Sequence, residues 1–342
     1  PKNPILMKIL ILTPHTLRAI ICATPAINAV RRQYPNAHIT LLTAAIGREI
    51  CPAGTIIDTH IEHERYRTTA GRARLLSLIR KQKFSLVINF EAESKSSALL
   101  TILSGARMTA GRVTNFFGKF YTNPTPHAES IARLPYSPYL EVIEQLDIRS
   151  SDCLPVIYRS DRDKRMARAY FDKHGLYKKA TLVLAPTSRS PLHCWLPENF
   201  ALIGRKFLSK YGGKVLITWS GSGLGIAQEV QKLIGERAIV CPKTSIGEFA
   251  ALLAEAGVLV CHDSSASDIA LSVQVPAVIV NTPTGSTPNT ALQIGVPGIR
   301  LHYQAQQPAS DMQDDDRAAQ LVTIHPDRVW EAVENIWRCN YY

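Results

Sequence analysis

Asp263, Ser264 and Ser265 follow the apolar run 258–261 and His262, and Asp268 stands one turn further on. A strand that empties into small polar residues at the start of a helix leaves backbone N–H groups without helical partners. Those groups, at the positive end of the helix dipole, attract anions such as the phosphates of a nucleotide. The same residues also suit an ordinary N-cap by Asp263 or Ser264, so the segment alone leaves both uses open. It continues through the apolar positions 269–271 into a second strand at 278–280 and closes on Asn281, Thr282 and Pro283. In open α/β sheets this carboxyl edge is where nucleotides bind. Two other stretches only resemble ligand motifs. Residues 220–225 (SGSGLG) lack the last glycine of a dinucleotide fingerprint, because Ile226 stands in its place. They read instead as a turn after a strand, able to touch a nucleotide through Ser220 and Gly221. The acidic run 311–316 lacks the glycine and terminal glutamate of a calcium loop, so no metal site is expected.

Such positions need parallel sheets to hold them. In the first half, residues 7–12, 38–42 and 86–90 read as strands, and 18–34, 72–82 and 96–104 as the helices between them. In the second half, strands at 180–184, 214–218, 239–241 and 258–261 alternate with helices at 161–174, 197–210, 227–233 and 245–256. Thr244 or Ser245 caps the last of these. Strands separated by helices of this length form right-handed parallel sheets. Residues 115–138, rich in Pro, Gly and aromatics, read as a long functional loop, and 146–158 as a linker. An amphipathic helix at 326–338 closes the chain. The expected fold class is α/β with two Rossmann-like domains, 1–155 and 156–325, and a terminal helix within 326–342 packing back toward the first domain. Two such lobes side by side leave a cleft, a favoured place for a ligand.

Composition narrows the partners. The chain has 342 residues, 46% apolar and 20% charged, values of a globular protein too long for one ordinary core. No apolar run is long enough to span a bilayer, and the start of the chain moves into a strand without a cleavable signal pattern. The seven cysteines form no CxxC pair and read as reduced core thiols, which fits a cytoplasmic location. Net charge is +11 and uneven: residues 1–150 hold 19 Lys and Arg against 10 Asp and Glu. Arg65, Arg67, Arg72, Arg74, Arg80, Lys81 and Lys83 stand close together in that half. This excess favours an anionic partner, either acidic headgroups or a phosphorylated glycolipid. Aromatic-interleaved nucleic-acid motifs are absent, which sets nucleic acid aside.

Several stretches, in order, resemble glycosyltransferase family 9, the bacterial lipopolysaccharide heptosyltransferases. Residues 24–43 (TPAINAVRRQYPNAHITLLT) are similar to the family's Thr-Pro-Ala-Leu helix and second strand. Residues 84–112 are similar to its third strand and Ser-Gly-Ala-x-x-x-x-Gly-Arg ending. Residues 184–200 (LAPTSRSPLHCWLPENF), the Asp263-Ser264-Ser265 turn, the turn 281–284 and the final helix 321–333 complete the series. The resemblance implies a GT-B fold: a first lobe that takes a sugar acceptor and a second that takes a nucleotide-sugar donor, usually ADP-heptose. It implies inverting transfer to a lipopolysaccharide core or related glycan, without metal or other cofactor. The acceptor would be an anionic glycolipid met at the cytoplasmic face of the inner membrane, with the protein peripheral there.

The chain departs from the family where chemistry is expected. The family's first helix opens Leu-Gly-Asp, and that Asp is its expected general base; here the matching residues are Leu17, Arg18 and Ala19. Alanine cannot take a proton, and losing a positioned base costs about 10²–10⁴ in rate. The donor-loop Lys matches His193, the Gly after Asp-Ser becomes Ser265, and the motif His becomes Asp268. An Asp there would repel a diphosphate. His15 and Glu91 are the replacement bases expected near the carboxyl edge of the first sheet, ahead of Glu93 and His127. The donor set implied is Thr187, Ser188, Arg189, His193, Ser220, Gly221, Thr244, Asp263, Ser264, Ser265 and Asp268. Trp195 is expected to pack rather than stack on a base. The competing reading is a catalytically silent relative that binds a sugar nucleotide or glycolipid, or scaffolds a partner.

Overall fold

The computed structural model describes residues 7–66, 68–126, 136–150, 154–187, 195–262, 264–281, 298–302 and 324–341. The chain divides into two compact units, Pro1–Tyr158 and Arg159–Tyr342.

The first unit is built on six parallel strands: β1 (Lys8–Leu12), β2 (His38–Thr43), β3 (Thr59–Glu62), β4 (Leu86–Asn89), β5 (Met108–Arg112) and β6 (Asn123–Thr125). Their spatial order is β3-β2-β1-β4-β5-β6, so the chain reverses direction across the sheet between β1 and β4. β1, β2 and β4 are almost wholly buried; with both faces covered they read as continuous apolar runs. Helix Leu17–Gln33 begins at Thr16, whose hydroxyl accepts from Ala19 N at 3.4 Å, and buries Ile20, Ile21, Ile27 and Val30. Helix Thr69–Gln82 is capped by Thr68 and buries Leu75 and Ile79.

The second unit repeats the plan with β7 (Thr181–Ala185), β8 (Lys214–Ile217), β9 (Ala238–Val240), β10 (Val258–His262), β11 (Ala277–Asn281) and β12 (Gly298–His302), in the order β12-β11-β10-β7-β8-β9. Here the reversal falls between β7 and β10. Helix Asp161–His174 opens with a reciprocal capping box between Ser160 and Asp163 and ends at Gly175 in the left-handed region. Helix Ile246–Ala254 is capped by Ser245, with Glu248 reaching back.

Two expectations change. Residues 115–138 are not one long loop: they include a 3₁₀ turn, Phe116–Phe120, then β6, and they run into the helix Ser137–Glu144. The expected linker is partly tied to the first unit, where Val156 N donates to Thr24 Oγ1 at 2.9 Å and Tyr158 N to the Ile50 carbonyl at 2.8 Å. The last helix, Pro326–Tyr341, belongs to the second unit. Val329, Val333, Ile336 and Trp337 join the core of the second unit with Phe207 and Val258, because that sheet's face leaves an apolar surface for them to cover. Of the cysteines among the described residues, Cys22, Cys51, Cys241 and Cys261 are buried, while Cys339 is exposed. Burial pushes the thiols of Cys51 and Cys241 up to about 12. No helix among the described residues is long and apolar enough to cross a membrane.

Candidate functional site

Each sheet gathers polar residues at the crevice where its strand order reverses. In the first unit, β1 runs into His15 and β4, its parallel neighbour, runs into Glu91. His15 Nε2 lies 2.7 Å from Glu91 Oε1. The imidazole is 39% exposed and the carboxylate 17%, so the pair has one wet member and one sheltered one. Glu91 is held from behind: Ser97 Oγ donates to its other oxygen, and its backbone N–H donates to Asn89 Oδ1 at 2.9 Å. Asn89 is itself buried and donates to the Tyr121 hydroxyl at 2.9 Å. On the other side His63, just after β3, stacks on His15 with ring centroids 4.2 Å apart.

This arrangement has a definite chemical sense. A carboxylate accepts only, so Glu91 places the imidazole proton on Nε2. That leaves Nδ1 of His15 with its lone pair, the form required of a general base. Ala19 sits in the first turn of the following helix and offers a methyl group. Of the expected catalytic residues, His15 and Glu91 therefore come together. His63 and Ser97 are partners the sequence reading missed. His63 follows a strand too short and polar to be recognised. Ser97 carried a signal, since Ser94 and Ser97 stand at N-cap and N3 spacing in front of an apolar run.

In the second unit the expected donor residues line up along one edge. Thr187 follows β7, Ser220 and Gly221 follow β8, Thr244 follows β9, and Ser264 and Ser265 follow β10. Two of these turns are fitted to each other. Ser220 N donates to Thr187 Oγ1 at 3.2 Å, and the two hydroxyls are 3.4 Å apart. Gly221 adopts φ +58°, and a Cβ at Gly223 would stand 2.3 Å from Thr187 Cγ2. Glycine is thus required at Gly223 by close approach and favoured at Gly221 by conformation. Thr187 is buried by this contact.

Ser264 caps the helix Ser265–Ser272, its hydroxyl accepting from Ala266 N at 3.3 Å. Ser264, Ser265 and Ala266 are half-buried, so the start of this helix stays open to solvent. Asp268 is buried on its first turn, only 9% exposed. A carboxylate there opposes the positive helix end favourably, which gives it a structural use besides the repulsion expected from its charge. Thr244 is half-buried and stands just before the cap Ser245. His262, at the end of β10, accepts from Trp195 N at 2.8 Å, and the Trp195 indole N–H donates to the Ile324 carbonyl at 3.0 Å. Trp195 is 1% exposed and packs, as expected. Ser188, Arg189, His193 and Asp263 lie outside the described residues, as do His127, most of the turn 281–284 and the acidic run 311–316. Among the described residues no cluster of His, Cys, Asp or Glu could hold a metal ion.

A family model described as glycosyltransferase family 9 (heptosyltransferase) matches residues 72–315. His15 and Ala19 precede that span. No curated protein matches the chain. Among solved structures, a family 9 glycosyltransferase from Veillonella parvula DSM 2008 superposes with a TM-score of 0.82 at 21% identity, covering 98% of each chain. E. coli ADP-heptose lps heptosyltransferase II gives 0.76 at 16% identity, covering 98% of this chain and 100% of that one. E. coli heptosyltransferase WaaC with ADP-2-deoxy-2-fluoro heptose gives 0.66 at 15%, covering 96% and 99%. Identities this low show the fold, which is GT-B.

Proposed function

The chain belongs to glycosyltransferase family 9, the heptosyltransferases, and from that premise we propose that it transfers a sugar from an ADP-activated donor, ADP-heptose first among them, to a hydroxyl of a lipopolysaccharide core or related anionic glycan, with inversion. The WaaC structure similar to it was solved with an ADP-heptose analogue, which supports the donor class. The observation that carries the reading is the His15–Glu91 pair at 2.7 Å, a base and its orienting carboxylate at the crevice of the acceptor-type sheet.

The step follows from those roles. Nδ1 of His15 takes the proton of the acceptor hydroxyl as its oxygen attacks the anomeric carbon. The new C–O bond forms on the face opposite the departing diphosphate. The anomeric C–O bond to phosphate breaks, and its electron pair leaves with ADP. Charge then grows on the diphosphate, where the positive end of the helix Ser265–Ser272 and the hydroxyls of Ser220 and Ser264 can stabilise it. Thr187 holds the Ser220 turn in place. Ser188, Arg189, His193, Thr244 and Asp263 complete the proposed donor set, Arg189 supplying a cation for the phosphates. The acceptor is taken as an anionic glycolipid, met at the inner membrane from the cytoplasm.

Ala19 favours one second reading, a relative that binds the sugar nucleotide without turning it over. Calorimetry with ADP-heptose and ADP release in the presence of lipopolysaccharide-core acceptors separate the two. Transfer that falls about 10²–10⁴-fold in His15→Ala and changes little in Ala19→Asp supports the His15 mechanism. Binding without turnover, with activity gained in Ala19→Asp, supports the silent relative. No binding of any nucleotide sugar sinks both.

A further inference from the structure

One face of the first sheet carries a surface that sugar transfer does not use. The steps from β3 to β4, β4 to β5 and β5 to β6 all run the same way across the strand order. Right-handed crossovers therefore lay their connections on one face: the helix Thr69–Gln82, the helix Lys95–Leu103 and the turn Phe116–Phe120. Their contacts agree. Arg80 Nε donates to the Leu103 carbonyl at 2.7 Å, and Lys95–Leu103 packs against Phe116–Phe120. Inward, Leu75, Ile79 and Ala98 are buried. Outward, Arg72, Arg74, Arg80, Lys81, Lys95 and Lys119 are exposed. None of the three elements contains an Asp or Glu.

The same layer exposes large apolar side chains. Phe116 is 65% and Phe120 57% exposed, with their rings 5.3 Å apart. Leu99 and Leu103, one helical turn apart, are 40% and 37% exposed. Cations select a negatively charged partner. Exposed Leu and Phe beside them select one that offers an apolar layer directly beneath its charges. A polynucleotide supplies phosphates and no such layer for Leu99 and Leu103.

We propose that this face docks on the surface of a bilayer containing anionic phospholipid, its Arg and Lys on the headgroups and Phe116 and Phe120 at the acyl boundary. Within this surface the turn Phe116–Phe120 follows β5 at the carboxyl edge of the first sheet, the edge that also carries His15; a link from docking to a glycolipid acceptor rests on the transfer reading. The test uses the full chain without any nucleotide sugar, so its outcome is separate from that of the transfer reading. Co-sedimentation is measured with phosphatidylcholine vesicles and with vesicles containing phosphatidylglycerol, at low and high salt. The expected result is binding to the anionic vesicles alone, weakened by salt. Binding should fall about 100-fold in R72E/R74E/K81E and about tenfold in F116S/F120S, with circular dichroism unchanged. Equal or absent binding to both vesicle types by the wild-type chain overturns the proposal whatever the variants do. So does wild-type binding by F116S/F120S together with tight binding of duplex DNA, which would mark a polyanion surface instead.

Discussion

The imidazole of His15 and the carboxylate of Glu91 leave adjacent parallel strands and meet at 2.7 Å, with Ser97 behind the carboxylate and His63 over the ring. A partly exposed hydrogen bond of this kind contributes modestly to folding, about 0.5–1.5 kcal/mol. Its substitution should therefore separate catalysis from stability. Glu91→Gln should lower transfer less than His15→Ala does, because an amide can still contact the ring but no longer fixes its tautomer. Thermal unfolding of both variants should stay close to that of the parent. A large drop in melting temperature with transfer unchanged would make the pair structural.

Gly223 and Thr187 share one small space, with 2.3 Å between Thr187 Cγ2 and a Cβ at the glycine. Gly223→Ala should push the Ser220 turn away and cost about 1–3 kcal/mol, along with donor affinity. Adding Thr187→Ala should restore part of the stability, since it removes the clashing methyl. A double-mutant cycle read by denaturant unfolding measures that coupling; additive effects would mean the turns are independent.

Trp337 is 1% exposed and its ring lies 4.8 Å from Phe207 and 4.7 Å from Tyr341. Trp337→Ala should destabilise the second unit by about 3–5 kcal/mol. Hydrogen exchange should show the loss of protection in β7, β10 and the helix Pro197–Tyr211, and not in the first unit.

Asp58 Oδ2 accepts from Ile39 N at 2.7 Å and from Arg31 Nη2 at 2.6 Å. Burial alone would raise its pKa, but these two donors and the Arg31 and His38 charges outweigh it and hold the carboxyl below the usual range. A depressed folded-state pKa means that the stabilisation is present above the unfolded value, near 3.9, and is lost as pH falls toward the folded one. Asp58→Asn should weaken the fold at pH 7, and the gap to the parent should narrow as pH falls below about 4. Unfolding midpoints across that range check the sign.

Periodicity and apolar patterning make most of the frame legible in the sequence. β1, β4, β7 and β10 are flanked on both sides, so each reads as an apolar run, and the long helices announce themselves by spacing and caps. What was missed lies mainly at the margins. β3, β6 and β12 are edge strands, where one side needs no apolar partner. Thr59–Glu62 is accordingly polar, and Asn123–Thr125 carries Pro124, tolerated only at an edge. β5 hides for another reason: its Gly111 lies under the ring of Tyr121, where a Cβ would stand 2.7 Å away.

By itself the sequence determined the parallel α/β character and the polar turns at strand ends. These are local, written in periodicity and residue type. Strand order is not local: nothing near His15 says that β4 rather than β2 will deliver its partner, nor that the last helix will cover the second sheet. Those pairings depend on which apolar faces remain to be buried once the sheets form, and only the folded chain decides that.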